Sequence, residues 1–158
     1  VKVLNDLIII FGNLTDMDIV EIGSGYGGQC KVINDFCGFK SYTLIDLPEP
    51  LSLAGKYLDR NGVKNVRFYA PNNAVEARYD LCISNYAFTE IDRSYQVFYH
   101  ENVINKSDRG YITCNFVGRP DGYSEKELLN MRDNSWRLEE KPLTSPTNFI
   151  YVWNLPHR

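Results

Sequence analysis

Residues 18–28 read Asp18-Ile19-Val20-Glu21-Ile22-Gly23-Ser24-Gly25-Tyr26-Gly27-Gly28. An apolar run with one carboxylate gives way to a glycine cluster. The first five residues predict a short strand. Gln29–Phe36 predicts a helix, with Val32, Ile33 and Phe36 at helical spacing and Gly38 as its stop. Between strand and helix, glycine has a physical job. Without Cβ the chain turns sharply and backbone N–H groups come close to a ligand at a helix N-terminus. Gly23, Gly25 and Gly28 also fit the G-x-G-x-x-G pattern of dinucleotide sites. The loop alone therefore leaves the ligand open.

Two carboxylates narrow the choice. Glu21 stands two residues before the first glycine, where a dinucleotide fold would place an apolar side chain. A carboxylate there repels a pyrophosphate and tolerates a ligand carrying an ammonium and a sulfonium. Its bland alternative is a partner for the following helix dipole. Asp46 closes the next predicted strand and can accept the hydrogens of both ribose hydroxyls. Its alternative is a helix N-cap ahead of Pro48, and the two roles are compatible.

Outward from the loop, strands and helices alternate. Leu4, Leu7, Ile8 and Phe11 predict a helix that ends at Phe11. Ser41–Asp46 is a second strand, and Pro48–Asn61 a helix that Gly62 closes. Asn65–Ala70 and Tyr79–Ser84 are strands three and four. Arg93–Lys106 is a helix with Val97, Val103 and Ile104 on its apolar side. Gly110–Val117 is strand five, and Ser124–Arg132 a short helix. Ser135–Glu140 and Asn148–Leu155 read as a closing hairpin, since the segment between them has Pro142 and Pro146 but no helical period. Repeated βα units predict a parallel sheet covered by helices on both faces, with one antiparallel strand from the hairpin.

The 158 residues fit a single domain, 1–158, with a real core. A hydrophobic share of 44% beside 23% charged residues argues against disorder. The net charge of −3 offers no polybasic field for nucleic acid. Apolar runs are too short to span a membrane, and no secretory leader pattern opens the chain. The chain opens on Val1, which predicts a further region N-terminal to it. Four cysteines without a C-x-x-C pair, and only two histidines, argue against zinc and for free thiols in a reducing cytoplasm. The 11 tyrosines serve either aromatic packing or a tyrosine-lined pocket.

The run E-I-G-S-G-Y-G-G at 21–28, D-L-P at Asp46–Pro48 and Y-D-L-C-I-S-N-Y-A-F at Tyr79–Phe88 together resemble the class I S-adenosylmethionine-dependent methyltransferases. Within them the chain is similar to the bacterial sugar O-methyltransferase family, through E-I-G-x-G-Y-G-G, T-L-I-D-L-P-E-P at Thr43–Pro50, S-N-Y-A-F-x-E at Ser84–Glu90 and G-Y-I-T-x-N-F at Gly110–Phe116. The resemblance covers roughly residues 18 to 155. It implies a three-layer α/β/α Rossmann-like methyltransferase fold with a seven-stranded sheet in the order 3-2-1-4-5-7-6, strand seven antiparallel. It implies S-adenosylmethionine as cofactor. It places Glu21, Gly23, Ser24, Gly25 and Gly27 around the methionine part, Asp46 on the ribose and Leu47 against the adenine. Asn72 or Asn73 replaces an aspartate that such enzymes place near the adenine amine. Ser84 and Asn85 would face the transferred methyl.

Methyl transfer is an in-line displacement, and a hydroxyl is a poor nucleophile at neutral pH, so a base is expected. Glu90 is the first candidate, beside apolar Phe88 and Ile91. Its alternative is a carboxylate at the N-terminus of the helix from Arg93. Asn85 and Tyr86 complete the expected catalytic group. Tyr86, Tyr95 and Tyr123 are candidates for stacking on sugar faces, with core packing as the alternative for each. His100 reads as a surface or packing residue and His157 as irrelevant. Asp92 and Glu90 lack a third ligand, so no metal is expected. The expected partner is a small-molecule or glycan-linked acceptor, not nucleic acid or membrane, and a homodimer is compatible with the reading.

Rival readings remain. Ser84-Asn85-Tyr86-Ala87-Phe88 partly matches the N-P-P-[FY] loop of nitrogen-directed methyltransferases, without its prolines. An NAD-dependent oxidoreductase shares the glycine pattern but not Glu21 or the closing hairpin. A cofactor-binding module without activity of its own is the non-enzyme alternative.

Overall fold

The computed structural model describes residues 1–71, 73, 77–116 and 121–154. Helix α1 (Lys2–Phe11) leads into β1 (Asp18–Ile22), α2 (Gly28–Phe36), β2 (Ser41–Ile45), α3 (Pro48–Arg60), β3 (Val66–Tyr69) and β4 (Tyr79–Asn85). Then follow α4 (Arg93–Asn102), a 3-10 turn at Ile104–Lys106, β5 (Ser107–Cys114), α5 (Glu125–Leu129), β6 (Ser135–Glu139) and β7 (Phe149–Trp153). The seven strands form one sheet in the order β3-β2-β1-β4-β5-β7-β6. β1 to β5 run parallel, and β7 is antiparallel to both neighbours. This is the Rossmann-like methyltransferase order expected from the resemblance.

The central strands are apolar on both faces because helices cover both, as a parallel sheet requires. Ile19, Leu44 and Leu81 pack with Leu4, Leu7, Ile33 and Leu58 on one face. Val20, Ile22 and Cys82 pack with Tyr99, Ile112 and Trp153 on the other. Pro48 opens α3 at its first position, where the missing N–H costs nothing.

Several expectations shift. Ile8, expected on the buried stripe of α1, is 43% exposed, and Phe36 of α2 is 73% exposed. The expected helix 93–106 breaks at Val103, whose φ of −122° and ψ of −59° leave the α region, and it buries Gln96 and Tyr99 rather than Val97. Gln96 survives burial because both ends of its amide are bonded. Its Nε2 donates to the Phe88 carbonyl at 2.9 Å, and its Oε1 accepts from the Tyr123 N–H at 2.7 Å. Periodicity cannot see such a satisfied polar group. β5 starts three residues earlier than expected, and α5 is confined to Glu125–Leu129, capped by Ser124 and Glu127 in a reciprocal box. Cys30, Cys82 and Cys114 are buried free thiols and Cys37 is half-buried.

Candidate functional site

The parallel strands β1, β2 and β4 end together, and the loops leaving them form a crevice where the strand order reverses between β1 and β4. Three bonds fix the glycine loop. Gly23 N–H donates to the Ile45 carbonyl at 2.8 Å, Gly27 N–H donates to the Ser24 carbonyl at 3.0 Å, and Gly25 N–H donates to Asp46 Oδ2 at 2.7 Å. Gly23 and Gly25 sit at φ of +74° and +54°, where a side chain is strained. A Cβ on Gly23 would stand 2.0 Å from the Ala87 Cβ, so the loops after β1 and β4 touch backbone against side chain. A Cβ on Gly25 would meet open space. Its glycine serves the turn and the crevice, not the packing.

Two cavities meet at this loop, each bordered by Gly23 and Gly25. One, of about 370 Å³, is lined by the apolar Ile22 and Ile45, by Asp46 and Leu47 after β2, and by Glu90, Tyr95 and Tyr99 after β4. The second, of about 360 Å³, is bordered by Glu21, Ser24, Tyr26, Gln29 and Asn85. Two polar atoms there are buried without a hydrogen-bond partner, Ser24 Oγ and Gln29 Nε2. A native fold leaves few such groups unsatisfied, so these two mark a place for a polar ligand.

Asp46 does not cap the next helix. Leu47 is the N-cap of α3, with no side-chain cap. Instead Oδ1 accepts from the Leu47 N–H and Oδ2 from the Gly25 N–H, each at 2.7 Å. A carboxylate has about four acceptor sites, so both oxygens keep capacity for a hydroxyl. Glu21 is 3% exposed and accepts from the Tyr42 hydroxyl at 2.8 Å. Burial pushes its carboxyl up to about 8 against the lowering effect of Tyr42, with the nearby Asp46 charge adding to the rise. Burial likewise holds the Cys82 thiol up at about 12, so it stays protonated.

Of the expected site residues, Glu21, Gly23, Ser24, Gly25, Asp46, Leu47, Asn85 and Glu90 border these cavities. Gly27 does not. It is buried at the N-cap of α2, against Leu58 and Ala54. Ser84 does not either: it is fully buried, its hydroxyl donating to the Ile22 carbonyl at 2.9 Å and accepting from the Phe88 N–H at 3.1 Å. Ser84 braces the two loops from beneath. Asn72 lies outside the described residues, and Asn73 borders neither cavity.

Tyr86 follows Asn85 with φ of +60° and sends its hydroxyl to Glu140, in the connection between β6 and β7. Glu140 is 1% exposed and also accepts from the Thr144 N–H at 3.1 Å and the Thr144 hydroxyl at 2.7 Å. Burial acts to raise its carboxyl, but these bonds outweigh it and hold the group below the usual carboxylate range. Tyr123, a candidate for sugar stacking, lies elsewhere. It sits under the Arg93 guanidinium, 4.9 Å from its ring centre, and its hydroxyl meets His100 Nδ1 at 3.2 Å. His100 is held by Tyr123 and by the Met131 carbonyl, a packing role. Tyr95 borders the larger cavity together with Tyr99, one helical turn on, which sequence reasoning missed. The i, i+4 spacing of those tyrosines was the available signal. Gln29 and Glu140 carried none, since one lies in the first turn of a helix and the other just past the end of a strand. Among the described residues no three His, Cys, Asp or Glu side chains converge as a metal site, and no helix is long and apolar enough to cross a membrane.

No protein-family model and no curated protein matches this chain. Solved structures do. The chain superposes on a S-adenosylmethionine-dependent methyltransferase from Clostridium acetobutylicum ATCC 824 with a TM-score of 0.71 at 12% identity, covering 95% of this chain and 87% of that one. The methyltransferase domain of bacterial CtHen1 gives a TM-score of 0.70 at 12% identity, covering 98% and 96%. A rRNA methylase from Streptococcus thermophilus gives 0.65 at 14% identity, covering 88% and 87%. The fold is that of the S-adenosylmethionine-dependent methyltransferases.

Proposed function

We propose that this chain binds S-adenosylmethionine and transfers its methyl group to a hydroxyl of a sugar or sugar-containing small molecule. The observation that carries the reading is the junction at Gly25. A largely apolar cavity with a half-free carboxylate, Asp46, adjoins a second cavity that holds a buried carboxyl, Glu21, and two unpartnered polar atoms. Those residues fit the cofactor's chemistry. Asp46 accepts ribose hydroxyls while Leu47 and Ile45 cover the adenine. Glu21 takes the ammonium, and Ser24 Oγ with Gln29 Nε2 takes the carboxylate of the amino-acid end. When bound, the cofactor supplies a sulfonium-activated methyl carbon.

The acceptor side is read from charge. The described residues lining both cavities include Glu21, Asp46, Glu90 and Asp92 but no lysine, arginine or histidine side chain. That field attracts a cationic cofactor and opposes a polyphosphate acceptor such as RNA, even though RNA enzymes share the fold. A neutral polyol suits it. Glu90 is exposed, borders the larger cavity and accepts from Asn115 Nδ2 at 2.9 Å. It lies outside α4, whose N-cap is Asp92, so its position suits a base for an acceptor hydroxyl better than a helix-end charge.

Calorimetric titration with S-adenosylmethionine, S-adenosylhomocysteine and NAD tests the cofactor. Binding of the first two without NAD is expected; NAD binding alone returns the chain to the oxidoreductases. Transfer of labelled methyl to methyl glycosides, with an oligoribonucleotide and a peptide amine in parallel, tests the acceptor. Label entering only the RNA or the amine overturns the sugar reading.

A further inference from the structure

Glu21 is a buried carboxyl that faces no buried cation among the described residues. It projects from β1 under the glycine loop and borders the cavity assigned to the amino-acid end of the cofactor. The Tyr42 hydroxyl from β2 bonds it and the Asp46 carboxylate beyond β2 repels it, while its charge also acts on the Cys30 thiol of α2 and, across the sheet, on the Cys82 thiol of β4. Val1, at the end of α1, is 84% exposed at the cavity rim. No ion pair among the described residues involves Glu21. A charge in that setting is desolvated and repelled by Asp46, with one donor among the described residues, Tyr42, to offset it.

We propose that Glu21 is the neutral acid in the ligand-free protein and releases its proton to solvent when the cofactor's ammonium enters the cavity, so that cofactor binding is proton-coupled. The inference rests on the cofactor reading above. The Glu21 O–H bond breaks, the proton passes to water, and the carboxylate left behind pairs with the ammonium. The ligand supplies the positive charge that the fold withholds. The position of the carboxyl near 8 makes the coupling visible around neutrality.

The test is calorimetry of S-adenosylhomocysteine binding at pH 7 in two buffers of different ionisation enthalpy, which counts protons. Release of most of one proton per site is expected for the wild type. Less is expected for Glu21→Gln. Methylthioadenosine, which lacks the amino-acid end, should bind with no Glu21-dependent release. The ratio of wild-type to Glu21→Gln affinity should rise up to about tenfold per pH unit between pH 6 and 8. Should Glu21→Gln not fold, glutamate-labelled wild-type protein gives a second readout: an infrared band of a neutral buried carboxyl, lost on adding S-adenosylhomocysteine. Binding of S-adenosylhomocysteine without that release or band loss overturns the proton coupling and leaves the cofactor reading intact. Equal release with methylthioadenosine does the same. No binding of S-adenosylhomocysteine overturns both.

Discussion

Asp46 Oδ2 accepts the Gly25 N–H at 2.7 Å, so the carboxylate at the end of β2 holds the glycine loop at the end of β1. One side chain thus shapes the loop and faces the larger cavity. Asp46→Ala is expected to weaken S-adenosylhomocysteine binding by about 1–3 kcal/mol, through lost charge-assisted hydrogen bonds. Calorimetry checks it; unchanged affinity removes Asp46 from the site.

The contact of Gly23 with Ala87 makes a packing prediction. Gly23→Ala places a methyl group 2.0 Å from the Ala87 Cβ at a φ of +74°. A melting-temperature drop equivalent to about 2 kcal/mol or more is expected. Ala87→Gly in that background should recover part of the loss, since it removes the clash and leaves the backbone strain. Recovery of nothing would place the whole cost in the backbone.

Glu21 sets a pH dependence whose sign follows from its raised carboxyl. The folded state holds this proton up to about 8, while the unfolded chain releases it near the ordinary 4.5. The folded state binds more protons in between, so the Glu21 contribution to stability is full below about 4.5 and falls as pH rises toward 8. Denaturant unfolding of the ligand-free protein at stepped pH should show this decline, and Glu21→Gln should flatten it. An unchanged slope in the variant would mean that another group titrates.

Tyr86 and Glu140 join the loop after β4 to the connection between β6 and β7. Tyr86→Phe removes one of the donors that keep the buried Glu140 charged, at an expected cost of about 1–3 kcal/mol. In a double-mutant cycle with Glu140→Gln, the two should couple by about 0.5–3 kcal/mol. Affinity for S-adenosylhomocysteine should hold in both variants, because neither residue borders the two cavities. A loss of that affinity would extend the site across this pair.

Ser84→Ala should lower stability by about 1–3 kcal/mol, since the hydroxyl bonds the Ile22 carbonyl and the Phe88 N–H in a fully buried place. Calorimetry then separates its bracing role from a contact: direct cofactor binding by Ser84 would appear as a larger loss of affinity than of stability.

The sequence by itself determined the alternation of strands and helices, the glycine loop and the carboxylates at 21 and 46. These are local matters: period, backbone freedom and a charge at a strand's end each act within a few residues. Even the closing hairpin was legible, because Pro142 and Pro146 deny a crossover helix. Only the tertiary structure decided what each polar side chain bonds. Ser84 and Gly27 sit in the motif yet serve packing, while Gln29 and Glu140, unremarkable in the sequence, reach the cavity rim and the loop after β4. Gln96 stands on the buried face of α4 because partners eight and twenty-seven residues away satisfy its amide. Burial and hydrogen bonding join residues distant in the chain, and no local pattern encodes those distances.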